Sequence, residues 1–306
     1  MHVPVLLKET IEWLNPRSNE NFVDCTLGEA GHAAEILKRT GPRGRLLGID
    51  QDARQIAHSQ AKLKEFGERA ILAHDNFVNL QKIVEKKKFG NIKGVLVDLG
   101  ISSWHIEESQ KGFSFLKEEQ LDMRLDENQK LTAREIVNAW PEERLAQALK
   151  DLGQERWSQR IARQIVRTRK VRAIETTAQL AQIVSRACPP NYERGRIHPA
   201  TRTFLTLRVL VNDELLRLES LLPQALQVLQ KEGRLVVISF NSAEDRLVKN
   251  FCRDQAKSGQ LKILTPHPVV AEPSEREANP RSRSAKLRVA AKTHDHFNPS
   301  PVRAVR

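Results

Sequence analysis

Cysteine is scarce in this chain: Cys25, Cys188 and Cys252 stand far apart and are odd in number. That excludes a disulfide framework and a cysteine-based zinc cluster, and it suits a reducing cytoplasm. Long apolar runs are also missing, since none approaches the ~20 residues that span a bilayer. The opening MHVPVLLKET lacks a basic stretch followed by a long apolar one, so no export signal is expected. Glycine and proline number 14 each, 29% of residues are charged and 40% hydrophobic. That composition excludes collagen, coiled coil and wholesale disorder. Acids are the minority charge, 38 against 50 basic residues, for a net +12. Such a surface attracts polyanions, above all nucleic acid; a merely solubilising surface is the plainer alternative.

What is present reads as one large domain or two, in 306 residues, with enough chain to bury a sizeable core. Four apolar runs fit buried parallel strands: FVDCTLG at 22–28, RLLGID at 45–50, VLVDLG at 95–100 and RLVVISF at 234–240. A shorter run, AILAH, lies between the second and third. Amphipathic stretches separate them, which predicts a doubly wound α/β sheet. From 104 to 212 the pattern is helical. Thr132 with Glu135 reads as a capping box, and Thr176 with Gln179 as another cap. Pro141 suits the first turn of a helix and Gly153 its end. A helix over 213–230 should bury Leu215, Leu218, Leu222, Ala225 and Leu229. The expected division is 1–103 with 213–306 as the sheet domain, and 104–212 as an inserted helical, substrate-recognising domain. Residues 268–284 read as loop, 285–292 as a last strand and the final dozen as disordered.

The turn after the first strand carries Gly28-Glu-Ala-Gly31, and the second strand ends at Asp50, 22 residues beyond Gly28. Glycines allow a sharp turn and close ligand approach, and an acid at that point can hold both hydroxyls of a ribose. A pyrophosphate binder prefers G-x-G-x-x-G. The glutamate in this turn favours a cationic cofactor, S-adenosyl-L-methionine, over a dinucleotide. Asp98 ends the next strand in the same crevice.

Ten motifs in register carry a resemblance: HVPVLLKE, VDCTLGEAGH, GIDQD, VDLGISS, KGFSF, LDMR, HPATRTF, LRVLVN, SFNSAEDR and NPRSRSAKLR. Over about residues 2–292 the chain resembles the bacterial 16S ribosomal RNA cytosine-N4 methyltransferase family, RsmH, formerly MraW. The resemblance implies an enzyme with a class I S-adenosylmethionine-dependent methyltransferase domain, interrupted by a helical domain. It implies methylation of N4 of a cytidine in the decoding region of 16S rRNA, within the small subunit, in the cytoplasm, without membrane or metal. Its cofactor positions fall on Ala30, Gly31, His32, Asp50, Phe77, Asp98 and His105. The sequence departs from the pattern at Glu29-Ala30, at His105 and at Asn241 with Ala243. Ala30 is expected to keep a negative φ, because a Cβ penalises left-handed backbone.

The N4 lone pair of cytosine is delocalised into the ring, so an acceptor for its N–H groups would help it attack. Asp98, Ser102, Asp122 and Asn241 are the catalytic candidates. Asp122 has an ion pair with Arg124 as its alternative role, and Asn241 a turn position. As substrate contacts we expect Arg124, His198, Arg202 and Asn212. A buried network pinning the insertion is the alternative for the last three. Phe113 and Phe115 could stack on the base, though packing a loop is the commoner role. Residues 156–172 hold seven basic side chains and no acid. Arg156, Arg160, Arg163 and Arg167 share one helical side, and Arg160 and Arg163 are expected to meet phosphates. Arg281, Arg283, Lys286 and Arg288 make a second candidate patch. Rival readings are an amino-methyltransferase of another RNA or of DNA, and a non-catalytic ribosome-assembly factor. Against DNA, VDLGISS lacks the Pro-Pro-aromatic that DNA amino-methylases commonly carry.

Overall fold

The computed structural model describes residues 4–294, so the expectation for the last dozen lies outside the described residues. The chain forms two compact units, Met1–Gly100 with Leu215–Arg306, and Ile101–Glu214.

The first unit is built on seven strands: β1 (Asn21–Asp24), β2 (Leu46–Asp50), β3 (Ala70–His74), β4 (Ile92–Asp98), β5 (Leu229–Ser239), β6 (Leu261–Ile263) and β7 (Lys286–Lys292). Their order is β3-β2-β1-β4-β5-β7-β6. The first five are parallel, and β7 runs antiparallel between β5 and β6. This is the doubly wound α/β sheet expected. The apolar runs are continuous because both faces are covered. In β4, Val95 and Val97 join one core while Leu96 joins the other. Successive side chains of a strand point to opposite faces, so helices on both sides are needed to bury them.

Helices α1 (Leu7–Leu14) and α2 (Gly31–Thr40) cover one face, and α3 (Ala53–Lys62) adds Ile56 to it. The other face is covered by α4 (Leu80–Lys86), and by two helices later in the chain described below.

The second unit holds α5 (Ser103–Glu107), α6 (Ala133–Ala139), α7 (Glu142–Asp151), α8 (Ser158–Arg169), α9 (Thr177–Ala187) and α10 (Ala200–Val211). Both capping boxes form, Thr132 with Glu135 on α6 and Thr176 with Gln179 on α9. Each supplies two partners for otherwise unpaired helix-end donors. Pro141 is the N-cap of α7. The core is one cluster, with Met123, Ile136, Ile161, Leu180 and Ala200 fully buried.

The chain returns to the sheet through α11 (Glu214–Val228), followed after β5 by α12 (Ser242–Lys257). Leu218, Leu222 and Ala225 are buried as expected, but Leu215 is only half-buried and Leu221 takes a core place. Leu229 belongs to β5, not to the helix. The expected loop at 268–284 instead contains α13 (Pro273–Ala278) and a 3-10 turn, Pro280–Ser284. Proline at a first helical position reads as a loop signal in isolation, yet it suits that position. The three-residue β6 is too short to leave a periodic signal. Among the described residues no helix is long and apolar enough to cross a membrane.

Candidate functional site

The carboxyl ends of β1, β2 and β4 bring Asp24, Asp50 and Asp98 together. Asp24 is 1% exposed, and its carboxyl is pushed up to about 7, chiefly by burial and further by the charge of Asp50. The Asp98 carboxyl is driven well above the usual carboxylate range, by burial first and then by Asp24 and Glu244. Its Oδ1 is buried with no hydrogen-bond partner among the described residues. His32 Nδ1 lies 3.7 Å from Asp98 Oδ2, while its Nε2 is 3.1 Å from the Val5 carbonyl.

The turn between β1 and α2 is clamped onto these acids. Gly28 N–H donates to Asp50 Oδ2 at 2.8 Å, and Asp52 N–H to Asp50 Oδ1 at 2.9 Å. Asp98 N–H donates to Thr26 Oγ1 at 2.6 Å, and Thr26 N–H to Asp24 Oδ1 at 3.1 Å. From α3, Ser59 Oγ donates to the Gly28 carbonyl and Lys62 Nζ to that of Glu29. Gly28 has φ +48°, a region open to glycine. Ala30, expected at negative φ, has φ +56° as the N-cap of α2. Its left-handed backbone costs about 1–2 kcal/mol. Its methyl is fully buried, which returns about 0.8 kcal/mol and so offsets part of that cost. Gly31 serves packing, since a Cβ there would sit 2.2 Å from Pro4 Cγ. Phe77 opens a single 3-10 turn after β3 and is half-buried against the sheet core.

Asn241 caps α12. Its Oδ1 accepts from the N–H groups of Ala243 and Glu244, both at 3.0 Å. The acceptor end is therefore taken up by the helix, and Nδ2, buried without a partner, can only donate. A role in accepting an amine hydrogen, as expected from sequence, does not fit this geometry. Glu244, unremarked in the sequence, is 2% exposed; it completes the cap by accepting from Asn241 N–H at 3.3 Å and also accepts from Phe240 N–H at 2.8 Å. Asp24 and Thr26 were also overlooked. Their signal was the strand end itself, at which a buried acid and a hydroxyl follow the last apolar pair. The second basic patch dissolves: Arg288 lies inside the sheet region, bound by Asp245 at 2.6 and 3.2 Å, and Lys286 approaches the same carboxylate at 3.4 Å.

In the second unit, Ser102 caps α5 and its Oγ lies 2.8 Å from His105 Nδ1. His105 is buried edge-on to Trp104 and Phe113. Asp122 and Arg124 form a two-pronged pair at 2.7 and 2.8 Å, and Arg124 also holds the carbonyls of Glu127 and Gln129. That pair keeps the Asp122 carboxyl below its ordinary value. Both residues are engaged in the loop between α5 and α6, in the ion pair that was the alternative role for Asp122. Asn212 is likewise a structural pin. It is 1% exposed, donates to the Met123 and Arg208 carbonyls and accepts from Leu125 N–H. Arg202 is paired with Glu193 at 2.9 Å and reaches the Gln154 carbonyl. His198 stays exposed, with its ring stacked 4.6 Å from that of Phe115. Phe115 also meets Phe204, so the two phenylalanines of KGFSF pack the unit. Arg156, Arg160, Arg163 and Arg167 are all exposed, over buried Ile161 and Ile165. Arg163 has a counter-charge that the sequence of its own helix hid: Glu142 of α7, at 3.4 Å.

The model of the MraW methylase family matches residues 1–293. The chain belongs to that family. It is 44% identical to the ribosomal RNA small subunit methyltransferase H of Symbiobacterium thermophilum over 95% of this chain and 96% of that one. It is 42% identical to the protein of that name from Heliobacterium mobile, over 95% and 98%. An rRNA methylase structure from Streptococcus thermophilus aligns with 10% identity and a TM-score of 0.44, covering 96% of this chain and 100% of that one.

This MraW-family methylase has the class I fold, and its cofactor is S-adenosyl-L-methionine. The residues present fit that group. Acids at three strand ends, Asp24 buried and Asp50 and Asp98 half-buried, and an Asp98 oxygen with no donor among the described residues, suit a ligand carrying a sulfonium and an ammonium. Among the described residues no group of three or more His, Cys, Asp or Glu is placed to hold a metal ion.

The cofactor-free methylase should lose stability as pH rises. The folded chain holds the Asp24 proton to about pH 7, whereas an unfolded aspartate releases it near 4. Between those values the folded state binds more protons, so the stability gained at low pH disappears on the way up. Melting temperatures from pH 5 to 8 should fall, and Asp24→Asn should flatten the slope. An unchanged slope in the variant would remove Asp24 as its source.

Proposed function

We propose that this chain methylates the exocyclic N4 of a cytidine in the decoding region of 16S ribosomal RNA, presented within the small ribosomal subunit, in the cytoplasm. The observation that supports it most is Asp98: a carboxyl at the end of β4 with a raised proton affinity and one oxygen without a donor. When bound, S-adenosylmethionine supplies a methyl group on a sulfonium. Asp50 and the Gly28 turn hold the ribose, with Phe77 and His32 closing the same crevice. Asp98, ionised when the cofactor's positive charge lies beside it, accepts an N–H of the target amine, frees its lone pair for attack and takes the proton released. Such an acceptor acts where charge develops and is worth more out of water. Ser102 and His105 orient the segment that follows. The base leaves any stack to reach the crevice. His198, Arg160 and, more weakly, Arg163 are the substrate contacts retained from the expected set.

Mass spectrometry of the decoding-region fragment, from cells with and without this gene, tests the reading. Loss of an N4-methyl group with the gene is expected. A methyl group missing elsewhere would point to another RNA. No difference, and no cofactor binding by calorimetry, would leave a non-catalytic assembly factor.

Neutralising the stripe gives a graded expectation. Arg160→Gln should reduce the log–log salt slope of RNA binding by ~0.7–0.9, one phosphate contact. Arg163→Gln should reduce it less, because Glu142 already neutralises part of that charge. Cofactor affinity should not move in either variant. Parallel salt lines for all three proteins would show the stripe to be only a solvated face.

A further inference from the structure

Between α7 and α8 the second unit has a groove of about 760 Å³, within the size range of small-ligand sites. Its lining combines features that a plain phosphate surface does not need. Trp157 lies in it, with the Arg160 and Arg156 guanidinium carbons 5.1 and 5.7 Å from the indole centroid. Neither arginine has an acidic partner among the described residues. Three acids, Glu142, Glu143 and Glu155, line the same groove together with Lys150, and Arg163 bridges to Glu142.

The segment that carries the indole is held in place. Glu155, 2% exposed, accepts from the Trp157 backbone N–H at 2.7 Å and from the Tyr192 hydroxyl at 2.5 Å, and the Trp157 side chain packs against the core of the unit. A backbone fixed before binding loses little freedom on binding. Exposed arginine planes beside a tryptophan form a π surface on which any nucleobase can stack. The carboxylates argue against a phosphate-only occupant, since they repel phosphate. They accept instead from amino groups on a base edge, as carboxylates do from cytosine N4.

We propose that this groove is a nucleotide-binding subsite for a single-stranded segment of the RNA. One base stacks on the Trp157 ring, its amino edge faces Glu142 and Glu143, and its phosphate meets Arg156 and Arg160. It rests on the reading above only for the choice of RNA as ligand. It adds a base contact to a stripe otherwise expected to touch phosphates alone. Adenine, cytosine and guanine carry an amino group and uracil does not, so the subsite disfavours uridine.

The test is fluorescence anisotropy of labelled hexaribonucleotides, oligo-C, oligo-A and oligo-U, with the full chain at several salt concentrations. Oligo-C and oligo-A should bind the wild type more tightly than oligo-U. Trp157→Leu should weaken oligo-C and oligo-A about tenfold, the scale of one lost stacking contact, without changing the salt slope. Trp157→Phe, which keeps a ring, should retain most of the affinity. Glu142→Gln with Glu143→Gln should abolish the preference over oligo-U. Ultraviolet crosslinking of oligo-C to the wild type, mapped by mass spectrometry, needs no variant and should mark the 142–163 region. Equal affinity in Trp157→Leu, or a crosslink elsewhere, overturns the subsite. If the wild type binds oligo-C here yet methylates no ribosomal RNA, the subsite stands and the functional reading falls. If it methylates the subunit and Trp157→Leu binds normally, the reverse holds.

Discussion

Asp98→Asn should reduce methylation at saturating cofactor and RNA by at least 10²–10³, the scale seen when one pre-organised charge-stabilising group is removed. The amide matches the carboxyl in size but cannot take a proton from the amine or carry negative charge toward a cation. The same change should raise the melting temperature of the cofactor-free protein. Burial and the nearby charges of Asp24 and Glu244 make an ionised carboxylate costly there, which is why its proton affinity is raised. A neutral amide removes that cost, and the stabilisation should grow as pH rises, because the native carboxyl is increasingly ionised. Lower activity with higher stability is a recurrent pattern at strained sites. Turnover within threefold of wild type would remove Asp98 from the chemistry, whatever the melting curve showed.

Asp50→Ala should weaken S-adenosylmethionine binding by at least tenfold, measured by calorimetry. A carboxylate accepting from two ribose hydroxyls contributes charge-assisted hydrogen bonds of about 1.5–3 kcal/mol each. The structure adds a second consequence. The Asp50 carboxylate also accepts from the Gly28 and Asp52 N–H groups, so its loss unfastens the turn as well as the ligand. Unfolding stability should therefore drop by about 1–3 kcal/mol, the penalty of leaving a polar group unpaired. Asp50→Asn keeps one acceptor oxygen and should fall between the two proteins in both measurements. Unchanged cofactor affinity in Asp50→Ala, with lower stability, would leave Asp50 a purely structural clamp.

The residues that sequence reading placed well are those whose role is set by chain position. A strand-ending aspartate lies at the carboxyl edge of a parallel sheet wherever the strand is, so Asp50 and Asp98 were legible. The side chains that the sequence left between two roles and the fold engages structurally, Asp122 with its partner Arg124, Asn212 and Asn241, share a different property. Each is polar, stands in a distinctive motif and has a partner close by in the fold. Nothing in a one-dimensional pattern separates a polar group awaiting a ligand from one already satisfied. The two capping boxes were readable because cap and partner stand three residues apart; the Asn212 bonds to Met123 and Leu125 were not, because they cross almost ninety positions of chain.

The amino-acid sequence by itself determined the class of the molecule: a twisted parallel sheet from its apolar runs, a helical insertion from its change of period, a basic surface, and a Gly-Asp cofactor turn. Those are local or additive properties, carried by backbone preference, hydrophobic spacing and summed charge. The tertiary structure alone decided which acid is buried and which other acid lies near it, so that Asp24 holds its proton to about pH 7. It alone gave Arg163 a counter-charge from α7, and it alone placed Trp157 beside two arginines with no acidic partner among the described residues. Proton affinities and pairings depend on distance and burial, which sequence separation does not encode.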